Sequence, residues 1–294
     1  MENRTIRHGR RLTPYLFLAP YLLLFGVFIL LPALYGLWIS LHDWDFLLPN
    51  RPWVGAQNYT ELFTPGSRDF TDFWQSMGAT GLFTLFSVPF LVTVPLLVAL
   101  LLNQKFPGRA FFRAVYFAPY VLGVAVVGVL WRFLLDPQIG LVNDYLGKAI
   151  PWIIDVPWVW VSLVGMTVWW TLGFNAIIYL AGLQDIPREL YEAAEVDGAT
   201  RWQRFVHVTL PGLSPVLLFV LTVTILQSAN MFGQSYIVTR GAPANETRTA
   251  IMFIAETGLR SFRMGSASAM SYVLGLVLLG ISALNFRFVR QREM

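Results

Sequence analysis

The chain alternates between long stretches without a single charge and short stretches where charges cluster. Six charge-free windows of eighteen or more residues occur, at 12–42, 73–104, 114–131, 156–184, 205–239 and 264–286, and every other such window is shorter than ten. A helix needs about 20 apolar residues to cross the roughly 30 Å hydrocarbon core of a bilayer, so each long window predicts one span. Lipid offers the backbone no hydrogen-bond partner, which leaves the helix as the form for segments this apolar. The pattern predicts an all-α, polytopic membrane protein with six transmembrane helices, residues 1–294 forming one transmembrane domain. The first apolar run, 16–41, is too long for the 7–15-residue core of a cleavable signal, and is read as a span.

Composition agrees with the pattern. The chain is 56% hydrophobic and 13% charged, against about 25% charged in a soluble globular chain. The formal net charge of +4 does not point to nucleic acid, because the basic residues flank spans: Arg4, Arg7, Arg10 and Arg11 precede the first, and Arg287, Arg290 and Arg292 follow the last. There is no cysteine, hence no disulfide and no thiolate metal site. Counted over alternate polar segments, thirteen Lys and Arg fall on the side of the termini and eight on the other. The positive-inside rule places both termini in the cytoplasm. The segment 249–255 is apolar but too short to cross, and is expected to lie in the interface or to re-enter.

The windows also lack chemistry. Ion-coupled transporters keep an acidic, basic or histidine relay inside the membrane. None stands centrally here, and His8, His42 and His207 lie at or beyond span ends, where solvated or interfacial positions are expected. A metal or acid–base centre within the membrane has no support, and no cofactor is implied. The phosphate-binding loop G-x-x-x-x-G-K-[ST] is missing too: the only lysines are Lys105 and Lys148, neither followed by Ser or Thr. Any ATP that drives this protein is hydrolysed by another chain. Trp152, Trp158 and Trp160 are read as an interfacial aromatic belt.

The polar segment 184–213 reads as two short helices and a hinge. Asp185 suits an N-cap, Pro187 a first helical turn and Glu189 the positive end of the helix dipole. Ile186, Leu190, Ala193 and Ala194 share one face. Gly198 ends the first helix, Thr200 with Gln203 forms a capping box for the second, and Pro211 stops it.

In this segment Glu192-Ala193-Ala194, Gly198 and Val208-x-Leu210-Pro211 resemble the EAA loop of ABC-importer permeases. The surroundings resemble the carbohydrate-uptake, maltose-transporter-like branch. Trp53-Val-Gly-Ala-Gln-Asn58-Tyr59 is similar to its first external loop, and Gly108-Arg109 to Arg113 with Pro119-Tyr120 to its second cytoplasmic loop and third core helix. Thr239-Arg-Gly241-Ala242-Pro243 is similar to a T-x-G-G-P element, with Ala242 departing from it, and Gly265-Ser-Ala267 to the G-x-A that opens the last helix. The resemblance implies an ABC type I importer permease. Its expected partners are a second, similar permease subunit, two cytoplasmic ATP-binding subunits and an external substrate-binding protein. It further implies that Glu192, Ala193, Ala194 and Gly198, with their neighbours Asp197, Ala199 and Arg201, couple the permease to the ATPase.

An uncharged carbohydrate needs hydroxyl-bonding side chains and flat aromatic faces. Polar and aromatic residues recur at helical spacing on three windows: Tyr116 and Tyr120; Thr167, Trp170 and Thr171, with Asn175 a turn on; and Thr224, Gln227, Ser228 and Asn230. Such side chains face a bundle interior, where they either line a pathway or tie helices together. Trp170 and Thr171 are expected to face Gln227 and Ser228 across a central cavity. A secondary transporter and a membrane enzyme are the competing classes. The first is opposed by the missing intramembrane charge and the EAA pattern, the second by the want of a convergent catalytic set.

Overall fold

The computed structural model describes residues 15–290, so the arginines and histidine at positions 4–11, and Arg292, lie outside the described residues. Twelve helices carry the description below: α1 Tyr15–Ser40, α2 Gln57–Phe63, α3 Phe70–Asn103, α4 Arg109–Val121, α5 Val124–Leu134, α6 Leu141–Leu146, α7 Trp158–Asp185, α8 Arg188–Val196, α9 Arg201–Gly212, α10 Ser214–Ala229, α11 Ala250–Ala255 and α12 Met264–Arg290.

Four of the six windows become unbroken apolar helices: α1, α3, α7 and the Met264–Asn285 part of α12. The other two are bent pairs. Helices α4 and α5 meet at 97°, and α9 and α10 at 65°, so six spans result if each pair is one. The window 205–239 also overshoots, since α10 stops at Ala229 and a separate turn of helix follows at Ser235–Thr239. Local chemistry explains the sharper bend. Pro119 gives no N–H, and Leu122 and Gly123 are extended, at ψ 137° and 148°, which turns the chain. At the second bend the helix runs through Pro211 to Gly212 rather than stopping at the proline. Leu213 joins the two pieces and Pro215 enters the first turn of α10.

The described residues up to Phe70, with Ile254–Val273, form one compact unit. Its centre is the first external-loop motif. The Asn58 amide donates to the carbonyls of Ser40 (2.8 Å) and His42 (3.0 Å), which fixes the chain as it leaves α1. A Cβ at Gly265 would overlap the His42 carbonyl oxygen, so the Gly265 and Asn58 motifs require each other. His42 is buried rather than solvated, with Nδ1 2.8 Å from the Trp38 carbonyl and its ring among Trp38, Trp44 and Trp53. Arg263 closes the unit with two bonds to Asp69, of 2.8 and 2.6 Å. That carboxylate holds the guanidinium above its usual pKa against the opposing effect of burial.

The second unit holds Thr71–Phe253 and the end of α12. One buried cluster joins Phe83, Val127, Leu163, Met166 and Met231; another joins Ala99, Tyr179, Leu183, Leu213 and Val220. Helices α4 and α7 lie very close, because a Cβ at Gly173 would overlap the Tyr116 carbonyl oxygen. Trp160 belongs to the first cluster, and Trp152 packs against it while donating to Asn143 Oδ1 at 2.8 Å. Only Trp158 of that trio keeps the exposure a belt residue needs. The segment 249–255 forms the short helix α11, whose Ala250, Met252 and Phe253 are buried in protein rather than laid along an interface. The Ala250 N–H donates to Thr80 of α3 at 2.8 Å.

Candidate functional site: a central cavity and an exposed helical loop

Helices α3, α4, α7 and α10, with residues 230–234, surround a cavity of about 530 Å³. Eight of the nine residues expected on a pathway line it: Tyr120, Thr167, Trp170, Thr171, Thr224, Gln227, Ser228 and Asn230. Trp170 and Thr171 therefore share one space with Gln227 and Ser228, as expected. Tyr116 is the exception. It stands one turn before Tyr120 on the same unbroken helix and is 38% exposed, and only Tyr120, next to the bend, reaches the cavity.

The bend is part of the site. Leu122 ends α4 with a carbonyl that the helix does not use, and the Trp170 indole N–H donates to it at 3.0 Å. Tyr120 stacks on Phe174 with centroids 4.6 Å apart and lies 6.4 Å from Trp170, which makes one aromatic wall. On the facing side, Ser87 of α3 donates to Ser228 of α10 at 3.1 Å. Thr167 and Thr171 bond back to the carbonyls four residues earlier, at 2.7 and 2.8 Å, and Asn230 to Leu226 at 2.7 Å. These side chains are satisfied within the protein. Gln227 is not: its amide is exposed and has no hydrogen bond to the described residues.

Asn175 has a second use. Pro95 of α3 cannot donate to the Leu91 carbonyl one turn back. The Asn175 amide donates to that oxygen instead, at 3.1 Å, and both residues reach the cavity. The sequence reading missed Phe83, Leu91, Val124 and the run Met231-Phe232-Gly233-Gln234. Gln234 had a signal, being polar inside an apolar window, and it lies beyond the end of α10 at Ala229. None of the sixteen lining residues is acidic, basic or histidine.

The loop between α7 and α10 differs in every respect. Asp185 ends α7 instead of capping α8, and Pro187 takes the N-cap position, one residue before the helix starts. No residue of α8 is buried. Ile186 alone of the expected apolar face is covered, fitted against Gly212, where a Cβ would come within 2.9 Å of it. Gly198 ends α8 at φ +75°, with its own N–H on Glu195 (3.1 Å) and that of Ala199 on Ala194 (2.9 Å), a left-handed helix stop. The Thr200–Gln203 capping box is present. Ala194, Asp197, Gly198 and Ala199 line a small notch of about 260 Å³ at the hinge, while Glu192, Ala193 and Arg201 are exposed beside it.

Bent helix pairs, a neutral cavity beside the α4–α5 break and an exposed helical loop are the features of a multi-pass membrane permease. The chain belongs to the family of binding-protein-dependent transport system inner membrane components, which matches residues 72–291. It is 32% identical to the arabinooligosaccharides transport system permease protein AraP of Bacillus subtilis, over 97% of this chain and 90% of that one. It is 34% identical to the trehalose/maltose transport system permease protein MalF of Thermococcus litoralis, over 89% of each. The fold matches a chain in the crystal structure of a bacterial ABC transporter involved in import of the acidic polysaccharide alginate. That match has a TM-score of 0.84 and 24% identity, and covers 98% of this chain and 99% of that one.

Proposed function

We propose that this chain is the permease subunit of an ATP-driven carbohydrate importer, and that its cavity holds part of an uncharged sugar in transit. The observation that carries the reading is the lining: hydroxyls, amides and an aromatic wall, with no acidic or basic side chain, and two amides, Gln227 and Gln234, that make no hydrogen bond to the described residues. An exposed amide on the cavity wall that the protein itself does not engage is free to bond a sugar hydroxyl. The flat face of Tyr120 and Trp170 suits the apolar side of a sugar ring. The named sugar permeases among the relatives support the same substrate class.

The partners follow. A second permease of the same kind, two ATP-binding subunits and an external binding protein complete the assembly. Helix α8 and its Gly198 stop, with Glu192, Ala193, Ala194, Asp197, Ala199 and Arg201, seat on the ATPase. Both termini and this loop face the cytoplasm.

Gln227→Ala in the assembled complex tests the cavity. KM for uptake is expected to rise about tenfold, the worth of one or two hydrogen bonds at about 1 kcal/mol each, or the sugar preference to change, with the melting temperature unmoved. An unchanged sugar profile with a lower melting temperature overturns the reading. Orientation is tested in the cysteine-free background: an impermeant thiol reagent on intact cells should label Tyr145→Cys and spare Glu195→Cys. The opposite pattern reverses the topology.

A further inference from the structure

The largest concavity among those described is not the one between the spans. It lies where α3 ends, α4 begins and α7 passes into α8, and measures about 1140 Å³. Lys105, Arg109 and Arg188 line it, with a single carboxylate, Glu192. None of these four makes an ion pair with a described residue. Arg113 lies one turn along α4 from Arg109, and its buried Nε has no partner among the described residues. The three lining cations outnumber the one carboxylate, so the cavity carries net positive charge, which an anion offsets. The rest of the wall combines polar Asn103, Gln184 and Tyr191 with apolar Phe106, Leu183 and Ile186, and Phe111 and Phe112 are exposed on the adjoining turn of α4.

Height in the bilayer decides which anion. Asn103 closes a 34-residue apolar helix and Gln184 lies in the last turn of a 28-residue one, so the cavity sits where both spans leave the hydrocarbon. Basic pockets between helices at that level suit lipid headgroups, and the aromatic and aliphatic wall suits the glycerol and upper acyl carbons. We propose that this cavity is a phosphate-recognising site whose occupant is the headgroup of an anionic phospholipid. Because Tyr191 and Glu192 of α8 form its far wall, a bound headgroup touches the same helix whose outer face is assigned to the ATPase.

The test uses the complete transporter in nanodiscs of phosphatidylcholine carrying a rising fraction of phosphatidylglycerol, with retained lipid counted by native mass spectrometry. The parent should hold phosphatidylglycerol above its bulk fraction. Lys105→Gln with Arg188→Gln should weaken retention about thirtyfold, at roughly fivefold for each cation removed. Lys105→Arg with Arg188→Lys should restore it, and equal melting temperatures among the three exclude misfolding as the cause. Equal retention in parent and glutamine variant overturns the proposal. So does loss of the lipid to millimolar inorganic phosphate, which would assign free phosphate as the occupant. Retention is read without transport, so a failure here leaves the sugar pathway standing.

Discussion

The cavity and the loop that follows α7 are built on opposite plans. Around the cavity many polar side chains are tied to the chain itself, Ser228 to Ser87, Trp170 to the Leu122 carbonyl and Asn175 to the Leu91 carbonyl, while the amides of Gln227 and Gln234 are left over. In α8 no residue is buried, and Val196, like Trp202 in α9, stays mostly exposed at 87% and 70%. The first region is a largely bonded interior with a few free polar groups. The second is a rigid shape with one half of an interface. Its order comes from backbone geometry at Gly198 and the Thr200–Gln203 cap, so it should respond to changes at those positions and ignore deletion of its other side chains. The cavity should do the reverse.

The largest effect expected on that contrast is at Gly198. Nothing lies within 4 Å of a Cβ there, so the demand is purely conformational, φ +75°. Gly198→Pro, locked near −65°, should cut uptake in the assembled complex about a hundredfold, for a strain of roughly 3 kcal/mol. Uptake equal to the parent's would remove the hinge from the coupling path. Gly173→Ala comes next and acts by space instead. Its Cβ overlaps the Tyr116 backbone, so α4 must move, and the melting temperature should fall for a cost of about 1–3 kcal/mol. An unchanged melting temperature would mean that α4 and α7 are not tightly fitted.

Asn175→Ala should cost about 1–3 kcal/mol by stranding the Leu91 carbonyl. Pro95→Ala, which returns a backbone donor to α3, should recover most of that loss in the double variant. Additive losses would show that the amide does something other than replace the missing N–H. The smallest effect belongs to the loop. Arg204 and Glu195 pair at 3.3 Å, but Glu195 is largely exposed. Glu195→Ala should therefore shift stability by no more than about 0.5 kcal/mol in thermal unfolding. A larger shift would mean that side chains, not the glycine, hold the hinge.

The spans were legible because charge is excluded from lipid, and no packing detail can override that. The bends were not. Pro119 precedes a 97° turn, whereas Pro89 and Pro95 sit inside an unbroken α3. Proline alone cannot decide between these outcomes. At Pro95 the Asn175 amide takes up the freed Leu91 carbonyl, and that is a tertiary fact no local pattern shows. Trp160 and His42 were misplaced for a related reason. Both stand near span ends, where interface and interior look alike in sequence, and packing drew them inward. The cavity residues were found because polar side chains at helical spacing have few alternatives in an apolar window. Tyr116 failed because a shared helix face does not say how far along the helix the cavity extends.

The exchange between Pro95 and Asn175 also has an evolutionary side. A proline at position 95 is tolerable only while another helix lends a donor, and an amide at 175 is useful there only while a carbonyl stands vacant. Either residue alone is a fault, so the two should be gained and lost together as sequences in this family diverge. Their joint history would then record which lineages adopted a proline in this span, and would mark helix pairs in contact where no structure has been seen.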